Sequence, residues 1–398
     1  MSALEGIRVL DLSRMPPPAY CVMILADHGA EVIKIEAPFE PNAPSIDSGY
    51  SPHPQQEDAK EQAAYNPFNR NKKSIVLNLK SEEARQVFYR LVEKADVIVE
   101  GFRPGVAERM GIGYKTVSKA NPGIVYCSLT GYGQDGPYRD LPGHDINYIS
   151  TAGALGLNGE SNGPPVIPYA SLATCAGSLS AALGILLALR AREKSGKGQY
   201  VDIASTDGVV SLMTSASIDY FRKGIVPRRG ESYRNGKYPF YNTYRTKDGE
   251  YISLGCPETH FWEKLCHAIG REDFIPHQYV EGEKKEEIVS YLKDYFGSRT
   301  QEESFDKLTK DNLPISKVHS IDGVFSDPQV LHRQMVIDVE HPELGKVRQT
   351  GIAIKLSDTP GKVKSTAPLL GEHTEEILLD LGYTKEQIFA LREVGALG

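Results

Sequence analysis

Short apolar runs rich in β-branched residues alternate with helical patterns through the first half of the chain. Residues 7–12 and 31–36 have the composition of buried strands. Between them, Pro18 to Asp27 has the apolar spacing of a helix that Gly29 closes. This order predicts a βαβ unit, so the two strands are expected to be parallel.

The alternation continues beyond residue 74. It predicts strands at 74–79, 96–100 and 124–129, and helices at 81–94, at 114–119, over the apolar small-residue stretch 173–189, and at 207–221. Ser81 is the expected N-cap of the first of these helices. Alternating strands and helices are typical of an α/β domain with a parallel sheet.

Residues 37–65 interrupt this pattern. They are rich in Pro, Ser and charged residues, and they predict a long surface loop. Two interpretations of the loop stay open, a disordered insertion and a flap over an active site.

The pattern changes after residue 222. A β-hairpin is expected around Lys247-Asp248-Gly249, followed by a helix at 260–269, polar helices to about residue 308 and a strand near 316–319. From about residue 334 the chain returns to strands and a helical tail. We therefore predict a large α/β domain (1–222), a smaller α+β domain (223–330) and a C-terminal return to the large domain (331–398).

Composition and charge narrow the function classes. The 398 residues are 40% apolar and 24% charged, with a net charge of −7. The chain has no basic stripe that would favour binding to nucleic acid. The N-terminus lacks the build of a signal peptide, and the apolar run Leu179–Leu189 is short for a membrane span. The charge and the short apolar run thus predict no nucleic-acid or membrane partner. The five cysteines form no CxxC pair, which predicts reduced thiols, no metal site and a cytoplasmic protein.

The most conspicuous ionisable pair is His144-Asp145, on a loop rich in Gly and Pro between a predicted strand and the small-residue helix. A His beside an Asp on such a loop is typical of acid–base chemistry, and the alternative is a histidine that caps a helix. The turn after the first strand, residues 13–18, contains no glycine, which argues against a dinucleotide site.

Six blocks of sequence, in order, carry a resemblance to a known family: "GIRVLDLSRMPPPAYCVMILADHGAEVIKIEAP", "NRNKKSIVLNLKSEEAR", "ADVIVEGFRPGVAERMGIGY", "GHDINY", "RAREKSGKGQYVDIA" and "PLLGEHTEEILLDLGY". Together they resemble the family III CoA-transferases, the group of formyl-CoA transferase, carnitine CoA-transferase and α-methylacyl-CoA racemase. The resemblance runs from residue 5 to the C-terminus.

The resemblance implies a Rossmann-like large domain built from both chain ends, a smaller α+β middle domain, and two interlocked subunits. It also implies a CoA thioester as substrate, without a metal. The residues in matching blocks that would bind CoA are Arg70, Asn71, Lys72, Lys73, Arg103, Arg109 and Met110. For each cation taken singly, a solvated surface charge is an equally good interpretation.

One departure from the family matters most. The family's catalytic aspartate, at the start of the small-residue helix, aligns with Thr174, or with Ala173 after a one-residue gap. No Asp or Glu occurs between Glu160 and Arg190. Three explanations compete: a homologous partner chain supplies the nucleophile, a nearby acid such as Asp145 or Glu258 replaces it, or the chemistry has changed.

The resemblance thus leads to one expectation and two alternatives. We expect a polypeptide of a CoA-transferase that moves CoA between carboxylic acids, such as succinyl-CoA and an organic acid, as the nucleophile-deficient subunit of a hetero-oligomer of the benzylsuccinate type. The partner is a homologous subunit, or a second copy in a dimer. The first alternative is a 2-methylacyl-CoA racemase that uses His144 and Glu258, because "GHDINY" is the racemase-like form. The second is a subunit that binds a CoA thioester without catalysis.

Overall fold

The computed structural model describes residues 1–38 and 59–397, and the chain divides into two compact units. The sheet unit comprises Met1–Ala152, Ala170–Leu212 and Pro328–Gly398. The middle unit comprises Gly153–Tyr169 and Met213–Asp327. Both chain ends therefore contribute to the sheet unit, and the middle of the chain forms the second unit.

The described strands are β1 (Arg8–Asp11), β2 (Glu31–Glu36), β3 (Lys72–Val76), β4 (Val97–Glu100), β5 (Val125–Thr130), β6 (Tyr200–Ala204), β7 (Tyr241–Arg245), β8 (Tyr251–Gly255), β9 (Ile315–Val318), β10 (Val336–His341) and β11 (Gly345–Thr350).

The described helices are α1 (Pro16–Asp27), α2 (Ala59–Tyr65), α3 (Glu82–Glu93), α4 (Val106–Arg109), α5 (Tyr114–Ala120), α6 (Asp145–Thr151), α7 (Leu172–Ser195), α8 (Ser205–Leu212), α9 (Thr214–Lys223), α10 (Thr259–Ile269), α11 (Glu283–Gly297), α12 (Gln301–Lys310), α13 (Ile321–Val324), α14 (Pro328–His332), α15 (Thr374–Asp380) and α16 (Lys385–Glu393).

The sheet unit is built on a six-stranded sheet whose paired strands are all parallel, in the order β3-β2-β1-β4-β5-β6. Successive side chains of a strand point to opposite faces. On β1, Val9 joins the apolar cluster that contains α1 and α7, and Leu10 joins the cluster that contains α3. Both side chains are fully buried, which explains why these strands are continuous apolar runs rather than alternating ones.

Helix α7 is longer than the apolar stretch that predicted it. The sequence predicted a helix over residues 173–189, and the helix spans 24 residues, Leu172–Ser195. Among the described residues it is the one helix long and apolar enough to cross a membrane, and half of its most apolar window is buried. The buried face packs on the sheet through Ala181, Ile185 and Leu189. Leu179, Leu183 and Leu187 on the other face are 52%, 58% and 62% exposed.

The C-terminal return covers the edge of the sheet beside β3. The backbone N–H of His373 donates to the carbonyl of Ser74 at 3.0 Å, and the N–H of Asn78 donates to the carbonyl of Ala396 at 2.9 Å. These bonds satisfy edge groups that a parallel sheet would otherwise leave open. The edge strand β3 is therefore covered by the C-terminal part of the chain.

The middle unit is α+β. Its three-stranded antiparallel sheet has the order β7-β8-β9. Trp262 is fully buried, and its indole N–H donates to the carbonyls of Phe274 and Ile275 at 3.2 and 3.1 Å. The predicted hairpin turn is present between β7 and β8, where Gly249 has φ +89°.

The local signals read from the sequence are confirmed at two helix ends. Gly29 follows α1 with φ +103°, and the Ser81 hydroxyl accepts the N–H of Ala84 at the start of α3. One expectation was wrong in part, because residues 59–65 of the predicted surface loop form helix α2. Residues 39–58, where the disordered insertion or flap was predicted, lie outside the described residues.

Candidate active site

The strand order reverses between β1 and β4, which is where open parallel sheets bind their ligands. β1 ends at Asp11 and β4 ends at Glu100, so both buried carboxylates lie at this edge. The helix that follows β1 begins with Pro16, Pro17 and Pro18, which have no backbone N–H. α1 therefore lacks the N-terminal donors that bind a pyrophosphate in Rossmann folds.

The turn after β4 presents two cations at this edge. Arg103 lies in the turn and Arg109 ends α4; both are exposed, and neither side chain has an ion pair or hydrogen bond within residues 1–38 and 59–397. The turn is held by Glu100, whose Oε2 accepts the N–H of Phe102 at 2.6 Å. Met110 is half-buried and packs against the core. Arg103 and Arg109 are thus available to an anionic ligand.

Tyr148 closes the base of the Gly-rich loop between β5 and α6. A Cβ on Gly131 would lie 2.2 Å from its ring, and a Cβ on Gly143 would lie 2.6 Å from it, so both positions require glycine. The Tyr148 hydroxyl donates to the carbonyl of Gly143 at 2.5 Å. The N–H and hydroxyl of Thr206 donate to the carbonyl of Gly131 at 3.0 and 2.8 Å. Both loop ends are fixed, directly before the His144-Asp145 pair.

His144 and Asp145 open helix α6. His144 is the N-cap of this helix, its N–H donates to Oδ1 of Asn147 at 3.0 Å in a capping box, and its imidazole ring is exposed. Asp145 is half-buried, and its Oδ1 accepts the backbone N–H of Thr174 at 2.8 Å. The sequence thus predicted the position of this pair, and the structure adds that its carboxylate binds the first turn of α7.

The first turn of α7 has no carboxylate of its own. Ser171 is the N-cap and makes no side-chain cap bond, so the carboxylate of Asp145 satisfies one of the unpaired N–H groups of the helix start. The Ser178 hydroxyl, which contacts the carbonyls of Pro17 and Thr174 at 2.6 and 2.7 Å, ties this turn to α1. Among the described residues, Asp145 of α6 is therefore the acid that binds the first turn of α7.

The electrostatics connect the turn after β4 with the Gly-rich loop. Burial raises the pKa of the Tyr148 phenol, Tyr132 and Asp145 add to that rise, and the positive charge of Arg103 opposes it. Burial and the Asp145 carboxylate raise the pKa of Cys175, so this half-buried thiol is not an activated nucleophile. Arg103, Tyr148 and Asp145 therefore share one region of the carboxyl edge.

Arg70 and Asn71, predicted to bind CoA, are engaged inside the sheet unit. Arg70 is fully buried, and its guanidinium donates to both carboxylate oxygens of Asp27 at 3.0 and 2.6 Å and to the carbonyl of Thr350 at 2.6 Å. The Asn71 amide donates to Asp27 and to the carbonyl of Lys362 at 2.8 and 2.9 Å. In this structure the two side chains join the start of β3 to the C-terminal return.

Lys72 and Lys73 are also paired. Lys72 Nζ lies 2.7 Å from Asp11 Oδ2 with both side chains fully buried, and burial lowers the pKa of this lysine. Lys73 Nζ lies 2.7 Å from Glu376 Oε1, and that hydrogen bond raises the pKa of Lys73. The Lys73 side chain is 37% exposed, so it is the cation of these four predicted residues that reaches solvent.

Glu258 belongs to the middle unit. It is the N-cap of α10, it is exposed, and its side chain makes no cap bond. Its negative charge adds to the burial that raises the pKa of Cys256 to about 12. The carboxylate therefore faces solvent on its own unit.

Sequence reasoning missed two residues that shape the edge, Glu100 and Tyr148. Glu100 is a charged residue at the end of a buried apolar strand, directly before Gly101. Tyr148 lies in the first turn of α6, four residues after the N-cap His144. Both signals were present, but the contacts that give them meaning join distant parts of the chain. Among residues 1–38 and 59–397, no group of three His, Cys, Asp or Glu residues could hold a metal ion.

Comparisons with known proteins agree with this geometry. The model of CoA-transferase family III matches residues 4–374. The chain is 33% identical to the succinyl-CoA–L-malate CoA-transferase beta subunit of Chloroflexus aurantiacus, covering 98% of this chain and 96% of the relative. It is 32% identical to human alpha-methylacyl-CoA racemase, and the match covers 98% of this chain and 96% of the racemase. A solved CAIB/BAIF family protein from Brucella suis superposes with a TM-score of 0.83 at 27% identity, covering 96% and 99%.

Proposed function

Because the chain belongs to CoA-transferase family III, we propose that it binds a CoA thioester at the carboxyl edge of its sheet and takes part in moving CoA between carboxylic acids. In our proposal it is the nucleophile-deficient subunit of a hetero-oligomer. The observation that carries this proposal is the start of α7, where Thr174 stands in place of an aspartate and its N–H binds Asp145.

The chemistry of the transfer requires a carboxylate. A carboxylate oxygen attacks the thioester carbon, the CoA thiolate leaves, and a mixed anhydride forms; the thiolate then attacks the enzyme's acyl carbon of the anhydride and releases the first acid. A threonine hydroxyl is a poor substitute, because the intermediate that carries CoA must be an acyl thioester of the enzyme. The attacking group in our proposal therefore comes from a homologous partner chain.

The outer face of α7 supports a partner. Leu179, Leu183 and Leu187 follow one another at intervals of four residues, which places them on one face of the helix. All three are more than half exposed. Contiguous exposed apolar side chains of this kind are typical of protein–protein interfaces. The unusual apolarity of α7 is accounted for if another family III chain covers this face.

Three cations are candidates for substrate binding in this proposal. Arg103 and Arg109 supply positive charge for the CoA phosphates, because both are exposed and unpaired among the described residues. Lys73 is a third candidate, with its charge shared with Glu376. The buried Arg70 and Lys72 and the half-buried Asn71 support the fold in this proposal. With five free cysteines, we also place the protein in a reducing compartment, the cytoplasm.

The test of the partner is reconstitution. The full chain is purified alone and together with the homologous family III chain that co-purifies from its native cells, and each sample is mixed with succinyl-CoA and a ¹⁴C-labelled acid acceptor. We expect transfer with the complex only, and trapping with hydroxylamine should modify an aspartate of the partner. Transfer by this chain alone at the rate of the complex would contradict the proposal.

Asp145 is the specific rival within this chain. One of its oxygens is bound to Thr174 and the carboxylate is half-buried, so it has the position of an internal nucleophile. If it attacks the thioester, hydroxylamine trapping modifies this chain and Asp145→Asn abolishes transfer. If the partner chain supplies the nucleophile, hydroxylamine still modifies the partner's aspartate when this chain carries Asp145→Asn. Thioester binding without transfer by any complex would instead favour a subunit that binds CoA without catalysis.

The exposed ring of His144 favours a second candidate function, racemisation at the α-carbon of a 2-methylacyl-CoA. The imidazole is exposed at the start of α6, so it can reach a substrate and accept a proton from it. We expect such an enzyme to exchange the α-proton of the thioester in deuterated water, and His144→Ala to abolish the exchange. The absence of exchange in the unmodified protein would exclude this function.

A further inference from the structure

A buried polar cluster lies behind the turn that carries Arg103. We define the Glu100 cluster as Glu100, Tyr126, Ser128, Gln134 and Tyr200, which together line a cavity of about 30 Å³ at the carboxyl ends of β4 and β5. This volume accommodates roughly one water molecule. Arg103 and Gly105 of the turn also line the cavity, so the cluster and the turn share a wall.

Glu100 is the centre of a hydrogen-bond chain. Its Oε1 accepts the hydroxyl of Ser128, whose oxygen in turn accepts the hydroxyl of Tyr200 at 2.8 Å. Its Oε2 accepts the N–H of Phe102, the residue before Arg103, at 2.6 Å. The carboxyl is 3% exposed. A buried carboxyl that binds the backbone of a turn restricts the conformations of that turn.

Two polar groups in the cluster have no partner among the described residues. The hydroxyl of Tyr126, a residue only 1% exposed, is buried without a hydrogen bond, and so is Nε2 of Gln134. Buried polar groups nearly always have a partner in proteins. The cavity they line therefore requires an occupant that both donates and accepts hydrogen bonds, which water does.

The charges around the cavity agree with a neutral occupant. Burial raises the pKa of Glu100 to about 7, and the carboxylates of Asp202 and Glu108 add to the rise. Arg103 lines the same cavity, and its positive charge opposes a bound cation. The Gln134 amide N–H is a donor, which a cation does not accept.

We propose that the cavity binds one water that joins Glu100, Tyr126 and Gln134, and that Glu100 is a positioning residue for the CoA-binding turn at 101–105. The carboxyl fixes Phe102 through its backbone, and Phe102 fixes the orientation from which Arg103 leaves the turn. This inference rests on the proposed function only in naming CoA as the ligand that Arg103 meets.

The first experiment compares Glu100→Ala with Glu100→Gln in the full chain. Glutamine keeps an acceptor for the N–H of Phe102, and alanine removes it. We expect the Phe102 amide to exchange with deuterated solvent about tenfold faster in Glu100→Ala, and within about twofold of the unmodified protein in Glu100→Gln. The Kd for acetyl-CoA should rise about tenfold in Glu100→Ala and recover in Glu100→Gln. Equal exchange and equal Kd in all three proteins would overturn the positioning role.

The second experiment tests the water through the sign of a Tm change. If the Tyr126 hydroxyl holds a bound water, Tyr126→Phe should lower the Tm by about 2 °C. The matched control is Tyr295→Phe, because the Tyr295 hydroxyl is also buried without a partner among the described residues and lines no part of this cavity; its Tm should stay constant or rise. An unchanged or higher Tm in Tyr126→Phe as well would overturn the water site.

The two proposals fail separately. If the unmodified chain and its complex bind no acetyl-CoA, the proposed function is wrong, and the exchange of the Phe102 amide still decides whether Glu100 holds the turn. If acetyl-CoA binds and Glu100→Ala leaves the exchange of Phe102 unchanged, the positioning inference is wrong and the proposed function stands. A crystal structure of the full chain with a density peak between Glu100, Tyr126 and Gln134 would support the water directly, and clear density without one would overturn it.

Discussion

Two groups of cations in the sheet unit look alike in the sequence and behave in opposite ways in the structure. Arg70 and Lys72, at the start of β3, are fully buried in ion pairs with Asp27 and Asp11. Arg103 and Arg109, after β4, are exposed and unpaired among the described residues. All four lie in blocks that resemble CoA-binding segments, so the resemblance alone assigned them the same role.

The difference shows that a cation's role is set by where the nearest carboxylate lies. Asp27, at the end of α1, and Asp11, at the end of β1, are close to the start of β3 because β3 and β1 both flank β2. Burying a cation is tolerable only with such a partner. No acid among residues 1–38 and 59–397 forms an ion pair with the arginines after β4, so they remain available to an anionic ligand.

The sharpest test of this comparison is Arg70→Ala. We expect it to lower the free energy of unfolding by about 3–5 kcal/mol, because Asp27 would remain buried without its cation. Urea denaturation followed by circular dichroism measures the change. The control is Arg109→Ala, for which we expect a change within about 0.5 kcal/mol. Equal stability of the two variants would erase the distinction between the groups.

A pH series tests the carboxylate that holds the turn. Burial raises the pKa of Glu100 from 4.5 to about 7, so the folded protein holds this proton more tightly than the unfolded chain does. Its contribution to stability is complete below pH 4.5 and is lost as the pH rises through 7, for a total on the order of 3 kcal/mol.

The measurement compares Glu100→Gln with the unmodified protein in urea at pH 5 and pH 8. We expect the variant to gain stability relative to the unmodified protein as the pH rises, because glutamine does not ionise. Glu93→Gln, at the exposed end of α3, should show no such trend. A constant difference between Glu100→Gln and the unmodified protein would mean that Glu100 titrates normally.

Gly131→Ala tests the loop that carries His144 and Asp145. The new Cβ would lie 2.2 Å from the Tyr148 ring, and the forced repacking should cost about 1–3 kcal/mol of stability. Thermal unfolding measures the loss. Gly156→Ala is the control, since no atom lies within 4 Å of its Cβ position. A neutral Gly131→Ala would show that the Tyr148 ring does not fix the loop base.

Arg103→Ala has the smallest expected effect. Stability should not change, while the Kd for acetyl-CoA should rise about tenfold, which corresponds to about 1.4 kcal/mol of binding free energy. Isothermal titration calorimetry at low and high salt measures it, and the salt dependence should weaken with the lost charge. Lys119→Ala, an exposed residue at the end of α5, removes the same charge elsewhere. If it weakened binding equally, the effect would be one of net charge.

Much of the fold was predictable because its signals are local. The apolar runs of β1 and β2, Gly29 after α1 and the Ser81 cap of α3 each depend on residues close together in sequence. The family resemblance supplied the return of the chain end to the sheet, which the hydrogen bonds of His373 and Asn78 display. Helix α2 at 59–65 was missed because it is only seven residues long and directly follows a stretch rich in Pro, Ser and charged residues.

The site was less predictable, because its contacts join distant residues. The sequence identified the Gly-rich loop, the His144-Asp145 pair and Thr174 in place of an aspartate. It did not reveal that the Asp145 carboxylate binds the N–H of Thr174, 29 positions later. Nor did it separate Glu100 from the many acids of the surface, since only the packing of β4 between β1 and β5 buries it.

The sequence by itself therefore determined the strands and helices with strong local patterns, the family and the absence of a carboxylate at the start of α7, because periodicity and residue identity are properties of the chain. The tertiary structure alone decided which charged groups are free. Burial and the position of a counter-charge depend on strand order, which brings Asp27 to Arg70 and leaves Arg103 without a partner among the described residues. For this protein, the chemistry of a cation follows from its neighbours in space.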